Sequence, residues 1–457
     1  MTKEEAFYKK MTETPVTKLV ILLGIPTTIS MLITNVYNLA DTYFVGSLGE
    51  SPQAATGILF TLQCIIQAIA FMLGHGSGAF VSKALADKNT KAATKYVSTA
   101  FYLGVALSLI LTFFGLIFLE PFMLLLGSTD TILPYAKDYG MWVLISCPFM
   151  VCSLILNNNL RYEGKAFFAM FGLSAGGLLN ILGDYIFIKI CGLGVFGAGM
   201  STAISQIVSF IILIILYLKM AQSTISLKAI SRIPKDYFSI IMVGFPSFIR
   251  QGLTSISNGI LNNLSKPFGD AAIAAMSVIN RFSSFVMCVG LGVGQGFQPV
   301  ASFNYQAKEY TRVKKSLLFT ILFGTIFVGC LALFGFVIPD KIIYLFQKKN
   351  EVIEIGKIGL RIASIGILFL PISVTANMLF QSIRKSAIAS LLALLRSGIL
   401  FIPILFLLSK IMGLSGIQHA QPIADILSGL ISIPFVIYFL MKTPNTEPKE
   451  KKNYPFE

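Results

Sequence analysis

Residues 16–46, which read VTKLVILLGIPTTISMLITNVYNLADTYFVG, decide the class of fold. The stretch is longer than the roughly 20 apolar residues that cross a bilayer as a helix. Of the 457 residues 55% are hydrophobic and only 12% are charged, which is about half the charge of a soluble globular protein. This composition excludes a water-soluble enzyme and predicts an all-α polytopic membrane protein. Twelve apolar runs occur, near residues 16–46, 53–80, 94–119, 136–160, 167–190, 194–219, 238–265, 272–298, 314–337, 355–381, 387–411 and 417–441.

The distribution of basic residues predicts the topology. With both termini inside, 24 of the 36 Lys and Arg residues fall in cytoplasmic segments, including the tail, and eight in outer loops. Cytoplasmic loops carry such an excess, so it accounts for the net charge of +15 without a nucleic-acid partner. The polar first fifteen residues predict no cleaved signal peptide. The six cysteines stand singly and predict neither a disulfide framework nor a zinc site.

The second half of the chain resembles the first. Gly24 recurs as Gly244 at an offset of 220, a glycine-rich segment recurs at 218, and Arg161 matches Arg384 at 223. Because each half holds six predicted helices, the repeats share one orientation, and a pseudo-two-fold axis along the membrane normal relates them. We expect an N-lobe over residues 1–225, a C-lobe over residues 226–457 and a transport cavity between them.

Three acids lie deep in apolar runs, namely Asp41, Asp184 and Asp425. A carboxyl group at that depth costs on the order of 3 kcal/mol to insert, so each acid needs a partner or a function. At the offsets above, Asp41 corresponds to Leu261 and Asp184 to Leu407. An acid found in only one copy of a repeat is not part of the shared scaffold. This asymmetry favours a functional role for the N-lobe acids.

Polar residues accompany the two N-lobe acids at helical spacing. Asn180 precedes Asp184 by four residues, and Ala198 and Thr202 repeat that spacing on the sixth helix. Carboxylate, amide, hydroxyl and backbone oxygens suit a proton or an alkali cation, whereas the absence of a thiolate or imidazole cluster argues against a transition metal. The alternative is structural polar bonding between helices, at under about 1 kcal/mol per bond.

These residues resemble a known family. Residues 41–49, DTYFVGSLG, are similar to the first-helix signature of the multidrug and toxic compound extrusion (MATE) transporters, and residues 160–165, LRYEGK, are similar to the segment after their fourth helix. Resemblance to the DinF-type branch implies an N-lobe cation site formed by an aspartate on helix one and Asn-x-x-x-Asp on helix five. The residues that this implies for coupling are Asp41, Asn180, Asp184, Ala198 and Thr202, of which Asp41, Asn180, Asp184 and Thr202 could hold Na⁺. NorM-type members instead carry their essential acids in the C-lobe, and Asp425 matches neither that pattern nor the DinF-type one.

The resemblance implies a cation-coupled antiporter, driven by H⁺ or Na⁺ or both, that exports lipophilic, mostly cationic compounds by alternating access. We expect no cofactor beyond the coupling ion, and a functional monomer with both termini cytoplasmic in a bacterial cell membrane. Pro26 interrupts the hydrogen bonds of helix one and could hinge it. The side chains expected to line the substrate cavity are Tyr37, Asn38, Tyr139 and Asn157.

Two other classes fit less well. A lipid-linked oligosaccharide flippase of the same superfamily would line its cavity with many Arg and Lys residues, and the N-lobe helices contain almost none. An intramembrane aspartyl protease would pair Tyr-Asp with Gly-x-Gly-Asp. Here the acids follow Ala40 and Gly183, and the residue two before Gly183 is Ile181. We therefore expect a transporter rather than an enzyme.

Overall fold

The computed structural model describes residues 3–346 and 348–445, and within these ranges it contains helices and no strand. The helices of the first half are α1 (Lys3–Glu13), α2 (Val16–Gly46), α3 (Glu50–Ala86), α4 (Thr90–Ile117), α5 (Leu119–Leu125), α6 (Leu133–Tyr162), α7 (Ala166–Asp184) and α8 (Gly194–Met220). Those of the second half are α9 (Pro234–Ser265), α10 (Asp270–Gln306), α11 (Tyr310–Val337), α12 (Pro339–Phe346), α13 (Asn350–Ile367), α14 (Leu370–Ser382), α15 (Ser386–Leu394), α16 (Phe401–Met412) and α17 (Leu414–Lys442).

The prediction of an all-α membrane fold is confirmed. Ten of the described helical segments are long and apolar enough to span a membrane, and the pair α13 and α14, bent by 43°, makes an eleventh. The helix α9 is as long as these spans, with 32 residues, but is more polar. Its serines and asparagines, such as Asn258 and Asn262, face a cavity between the lobes, which explains its lower hydropathy.

The structure corrects the register of the repeat. Both ends of α10 follow those of α3 at an offset of 220, and both ends of α11 follow those of α4 at the same offset. The offset of 218 is therefore wrong, because glycines at alternate positions let two similar segments align two residues out of step. The offset of 223 is wrong as well, because α6 and α14, which end at Tyr162 and Ser382, also differ by 220. His75 corresponds to Gln295, and Arg161 to Gln381 rather than Arg384.

The corrected register preserves the asymmetry of the N-lobe acids. Asp41 still corresponds to Leu261, Asp184 now corresponds to Ile404, and Asn180 to Leu400. All three positions in the second half are therefore apolar.

Each lobe has its own apolar core, and a short linker joins them. Residues of α3 and α6 form the largest N-lobe cluster, whereas α10, α13 and α17 supply much of a C-lobe cluster. The linker between Met220 and Pro234 is held by the buried carboxylate of Glu163, which accepts hydrogen bonds from the backbone of Gln222 and Ser223. The basic tail from residue 446, which includes Lys449, lies outside the described residues.

The lobes touch along two equivalent helix crossings, α3 on α9 and α10 on α2. Both crossings are made at glycines. A Cβ atom on Gly76 would overlap the carbonyl oxygen of Ile240, and one on Gly244 would overlap the carbonyl of Met72. At the second crossing a Cβ on Gly296 would overlap the backbone of Gly24. The backbones thus approach as closely as small residues permit, and one end of the inter-lobe space is closed.

Adding one methyl group at this crossing should disturb lobe closure. We expect Gly244→Ala to lower the thermal stability of the purified protein and to slow transport, because the obstacle is backbone, and overpacking typically costs about 1–3 kcal/mol. Gly252→Ala on the same helix is the control, since a Cβ there meets nothing within 4 Å. Equal behaviour of the two variants in melting and transport assays would contradict close packing at Gly244.

Candidate functional site

The first deep acid lies at the centre of a hydrogen-bonded set inside the N-lobe. Asp41, on α2, is 8% exposed, and the hydroxyl of Tyr139 on α6 donates to its Oδ2 at 2.9 Å. The oxygen of Tyr139 also lies 3.2 Å from the hydroxyl of Thr202 on α8. Tyr139 therefore connects Asp41 to Thr202 and belongs to this set, although the sequence placed it in the substrate cavity.

Helix α7 adds an amide to the same set. The side-chain nitrogen of Asn180 donates to the hydroxyl of Thr202 at 3.1 Å, and the hydroxyl of Ser201 donates to the backbone carbonyl of Asn180 at 3.0 Å. Sequence reasoning missed Ser201, and its position next to Thr202 was the only available signal. Ala198, one turn before Thr202, is fully buried in the packing around Tyr139.

The second deep acid completes the site. Asp184 is fully buried at the end of α7, where the helix passes into a π-helical turn over Tyr185–Ile190. Such turns are rare and occur frequently at functional sites. Asp184 lies within electrostatic range of Asp41. The structure thus brings Asp41, Asn180, Asp184 and Thr202 together within one lobe.

Four oxygens of this site lack hydrogen-bond partners among the described residues. They are Oδ1 of Asp41, Oδ1 of Asn180 and both carboxylate oxygens of Asp184. A buried carboxylate without a partner is costly, and a proton or a bound cation removes that cost. The donor set, made only of hard oxygens, fits H⁺ or Na⁺.

The residues expected in the substrate cavity separate in the structure. Asn38 lines the cavity between the lobes. Tyr37 is buried in the N-lobe, where its ring lies against Gly177 on α7. Asn157 does not line the described cavity, because its side-chain nitrogen donates to the carbonyl of Ala169 at 2.8 Å.

The bond of Asn157 recurs in the other lobe. Its counterpart in the repeat, Asn377, donates to the carbonyl of Ala389 at 2.6 Å, and Ala389 corresponds to Ala169. An interaction present in both repeats belongs to the shared scaffold, where it fastens one helix to the next. An asparagine in an apolar helix had suggested a site residue because the sequence could not show its partner.

The inter-lobe cavity has a volume of about 540 Å³, within the usual range for small-molecule sites. Its two walls are related by the repeat, since lining residues of α2 and α3 have counterparts on α9 and α10 in the corrected register. The lining residues of α2 and α9 that correspond in this way include Asn35, Asn38 and Thr42 with Ser255, Asn258 and Asn262.

Asp425, the third deep acid, has a partner of its own. The Nε of Arg396 donates to its Oδ1 at 2.8 Å, and the side-chain nitrogen of Gln421 donates to the same oxygen at 2.8 Å. The corrected repeat aligns Asp425 with Ser205, on the sixth helix of the N-lobe, rather than with Ala203. The ion pair lies within the C-lobe and shares no residue with the N-lobe acid site.

A cross-lobe network, which the sequence did not predict, joins the two lobes at their closed end. It consists of His75 and Arg161 from the N-lobe and Ser247, Gln295 and Gln381 from the C-lobe, all fully or almost fully buried. Nη2 of Arg161 lies 3.1 Å from Nε2 of His75, and Nη1 donates to Gln295. Because a guanidinium only donates, Nε2 of His75 accepts from Arg161. Nδ1 of His75 therefore carries the ring proton and donates it to the hydroxyl of Ser247 at 2.8 Å. Gln381 donates to the same hydroxyl at 2.9 Å.

Two six-helix repeats that enclose a cavity, with a site of two unpaired buried acids in one of them, define a membrane transporter of the two-lobed kind. The MatE family model matches residues 26–186 and 246–407, two segments whose first residues correspond in the repeat. The chain therefore belongs to the MatE family of multidrug and toxic compound extrusion transporters. It is a transporter and not an enzyme.

Relatives and solved structures agree with this assignment. The multidrug export protein MepA of Staphylococcus aureus strain MSSA476 is 26% identical over 444 residues, which cover 96% of this chain and 97% of that protein. MepA of Staphylococcus saprophyticus is 26% identical over 446 residues, with the same coverage. A multidrug resistance MATE family transporter of the MOP superfamily, solved in an outward-facing conformation, has a TM-score of 0.90 at 22% identity over 98% of this chain and 100% of that chain. A MOP superfamily transporter from Pyrococcus furiosus has a TM-score of 0.89 at 22% identity with the same coverage.

Proposed function

We propose that this chain is a cation-coupled antiporter that exports lipophilic, mostly cationic organic compounds by alternating access. The observation that carries the proposal is the N-lobe acid site. Its four unpaired oxygens, one from Asp41, one from Asn180 and two from Asp184, can bind a proton or a cation. The corresponding C-lobe positions are apolar, so ion coupling resides in one lobe. The printed name of the relatives, multidrug export protein, supports drug-like cargo.

Coupling requires that binding of the ion and binding of the substrate compete. Asp41 lies next to Thr42, and Thr42 lines the inter-lobe cavity. Protonation or Na⁺ binding at Asp41 would therefore change the wall against which a substrate rests. Import of an ion down its gradient can in this way drive release of an organic molecule.

The proposal includes a topology. The excess of Lys and Arg supports a cytoplasmic location for both termini. The cavity then opens near the outer ends of α2, α3, α9 and α10, while the glycine crossings and the cross-lobe network close the cytoplasmic end. We propose that the chain functions as a monomer in a bacterial cell membrane, and the bacterial origin of its relatives supports the choice of membrane.

A flippase for lipid-linked oligosaccharides is the second transporter function that the sequence allows. Such a substrate carries phosphates, which many Arg and Lys residues would bind. Among the residues that line the described cavity, Arg281 is the only charged one. The cavity therefore favours the drug exporter.

Transport in inside-out vesicles tests the proposal. A Na⁺ gradient or a pH gradient is imposed separately on vesicles that contain the purified protein. Uptake of a fluorescent lipophilic cation into the vesicles is then measured. We expect accumulation with at least one of the gradients and none in vesicles that lack the protein. Transport that depends on neither gradient would overturn ion coupling, and no transport of any probe would overturn export.

Pro26 provides a separate prediction on the conformational cycle. It lies inside α2, fifteen residues before Asp41, and cannot donate the backbone hydrogen bond that would hold the helix at that turn. We expect Pro26→Ala to slow transport, because α2 would bend less readily when Asp41 changes its partner. Pro246→Ala, the equivalent change on α9, is the control, since α9 carries no acid at the position of Asp41. Wild-type transport by Pro26→Ala across pH would reject the hinge.

A further inference from the structure

The walls of the inter-lobe cavity match in backbone but differ in charge. Arg281, on α10, corresponds in the repeat to Thr61 on α3, and both residues line the cavity. The shared scaffold therefore does not require an arginine at this place. Among the described residues that line the cavity none is acidic, so the charge of this described lining is positive.

The guanidinium of Arg281 is free to bind a ligand. Within the described part of the chain it takes part in no ion pair and no hydrogen bond, although the side chain is partly buried. The other arginines near the C-lobe interior differ in this respect. Arg250 donates to Asn377 at 3.0 Å, and Arg396 is paired with Asp425.

Amide side chains surround this cation. Asn258, Asn262 and Asn280 come from the C-lobe wall, and Asn38 and Gln53 face them from the N-lobe. These amides can donate to a ligand oxygen or accept from a ligand N–H, but they supply no negative charge. An organic cation meets repulsion from Arg281 in this cavity, whereas a carboxylate meets a planar fork of donors that fits it with two parallel hydrogen bonds.

We propose that the inter-lobe cavity binds amphiphilic organic molecules through a carboxylate held by Arg281, and that Arg281 thereby selects among transported compounds. The proposal rests on the export function above but changes the charge of the preferred cargo, from purely cationic compounds to molecules that carry an anionic group, zwitterions included. The apolar body of such a molecule lies against Phe60 and Leu39 of the opposite wall. Arg281 is in this view a specificity-determining residue and not part of the coupling site.

A pair of dyes that differ in one group tests the proposal. Tetramethylrhodamine carries a free carboxylate, and its methyl ester is a cation of nearly the same shape. Binding of each dye to the purified full chain in phosphatidylcholine nanodiscs is followed by fluorescence anisotropy. We expect the wild type to bind the carboxylate dye about tenfold more tightly than the ester, since charge-assisted hydrogen bonds are roughly twice as strong as neutral ones.

Variants assign the effect to the guanidinium. Arg281→Gln is expected to weaken binding of the carboxylate dye about tenfold, while binding of the ester stays equal or becomes tighter. Arg281→Lys should keep part of the preference, since it retains the charge but not the fork. Arg361→Gln, at an exposed arginine on α13 that does not line the cavity, should bind both dyes as the wild type does.

Three results would overturn the proposal. They are tighter binding of the ester by the wild type, equal loss of both dyes in Arg281→Gln, and displacement of the carboxylate dye when phosphatidylglycerol is added to the nanodiscs. The last result would identify a lipid phosphate as the occupant. Export of the ester from vesicles separates this inference from the proposed function. If the ester is exported but no carboxylate preference exists, only the inference fails, whereas export of neither dye removes the proposed function as well.

Discussion

Asp41→Asn and Asp184→Asn are each expected to reduce gradient-driven efflux to the level of vesicles without the protein. Asparagine keeps the size of the side chain and an oxygen that can accept a hydrogen bond, but it can neither release a proton nor neutralise a cation. Both wild-type carboxylates are buried, and together they leave three oxygens without hydrogen-bond partners among the described residues. Loss of the charge therefore removes the ion-binding capacity on which the proposed cycle depends.

The same two variants should not lose stability. A buried carboxylate with an unpaired oxygen is costly to the folded state, and a neutral amide reduces that cost. We expect melting temperatures equal to or above that of the wild type, measured on the purified variants. Inactive protein with unchanged melting would assign the defect to coupling rather than to misfolding.

Neighbouring ligands should matter less. Asn180→Ala and Thr202→Ala each remove one neutral oxygen, and we expect weakened coupling with transport retained. Thr202→Ala also removes the contact with Tyr139, which holds Asp41 in place. A rank order of acids first and neutral ligands second, in initial efflux rates at equal expression, is the expected result.

Asp425→Asn is the matched control in the other lobe. Its carboxylate is as deeply placed, but Arg396 and Gln421 already occupy one of its oxygens. We expect coupling to persist, while melting is lowered because breaking a buried ion pair typically costs about 3–5 kcal/mol. Efflux that survives Asp41→Asn and disappears with Asp425→Asn would move the coupling site to the C-lobe.

The sequence predicts the fold and the N-lobe acids for the same physical reason. A bilayer penalises every charge, so apolar runs reveal the helices, and an exception such as Asp184 stands out against them. The sequence alone did not give the correct alignment of the two repeats, because glycines that recur within one helical turn allow more than one register. The equivalence of His75 with Gln295 appears only once the helix ends are known.

Side-chain partners are what the sequence could not show. Asn157 and Asn180 are both amides in apolar helices, yet one bonds to the next helix and the other joins the acid site. Asp184 one turn later marks Asn180, but nothing in the sequence near Asn157 shows that its partner is the carbonyl of Ala169. The cross-lobe network was hidden for a similar reason, since His75 and Ser247 are 172 residues apart and no local pattern connects them.

Arg161→Ala is expected to open the closed end of the molecule. The guanidinium of Arg161 joins the N-lobe to Gln295, and it also holds Asn158 and His75 of its own lobe. Without it these buried acceptors lose their donor, at about 1–3 kcal/mol for each group left unpaired. Because water can reach the groups only if the lobes separate here, the cost falls on the closed state, and the population shifts toward the opposite opening.

A cysteine reporter measures that shift. Ser302 on α10 is fully buried against the carbonyl of Ala79 on α3 across the lobe interface, and cysteine at this position is nearly isosteric with serine. In a background without the six native cysteines, we expect maleimide to label Ser302→Cys about tenfold faster when Arg161→Ala is present, the factor that a shift of about 1.4 kcal/mol produces. Transport should slow at the same time, because the cycle must return through the closed state.

Arg396→Ala is the control for this prediction. Arg396 is also partly buried, but its ion pair, with Asp425 at 2.8 Å, stays within the C-lobe. We expect labelling of Ser302→Cys in that background to match the wild type. A rate that rises equally in both arginine variants would point to general loosening, and a rate unchanged by Arg161→Ala would show that the glycine crossings alone hold the lobes together. In either case the cross-lobe network would not be the element that sets the balance between the two openings of the transporter.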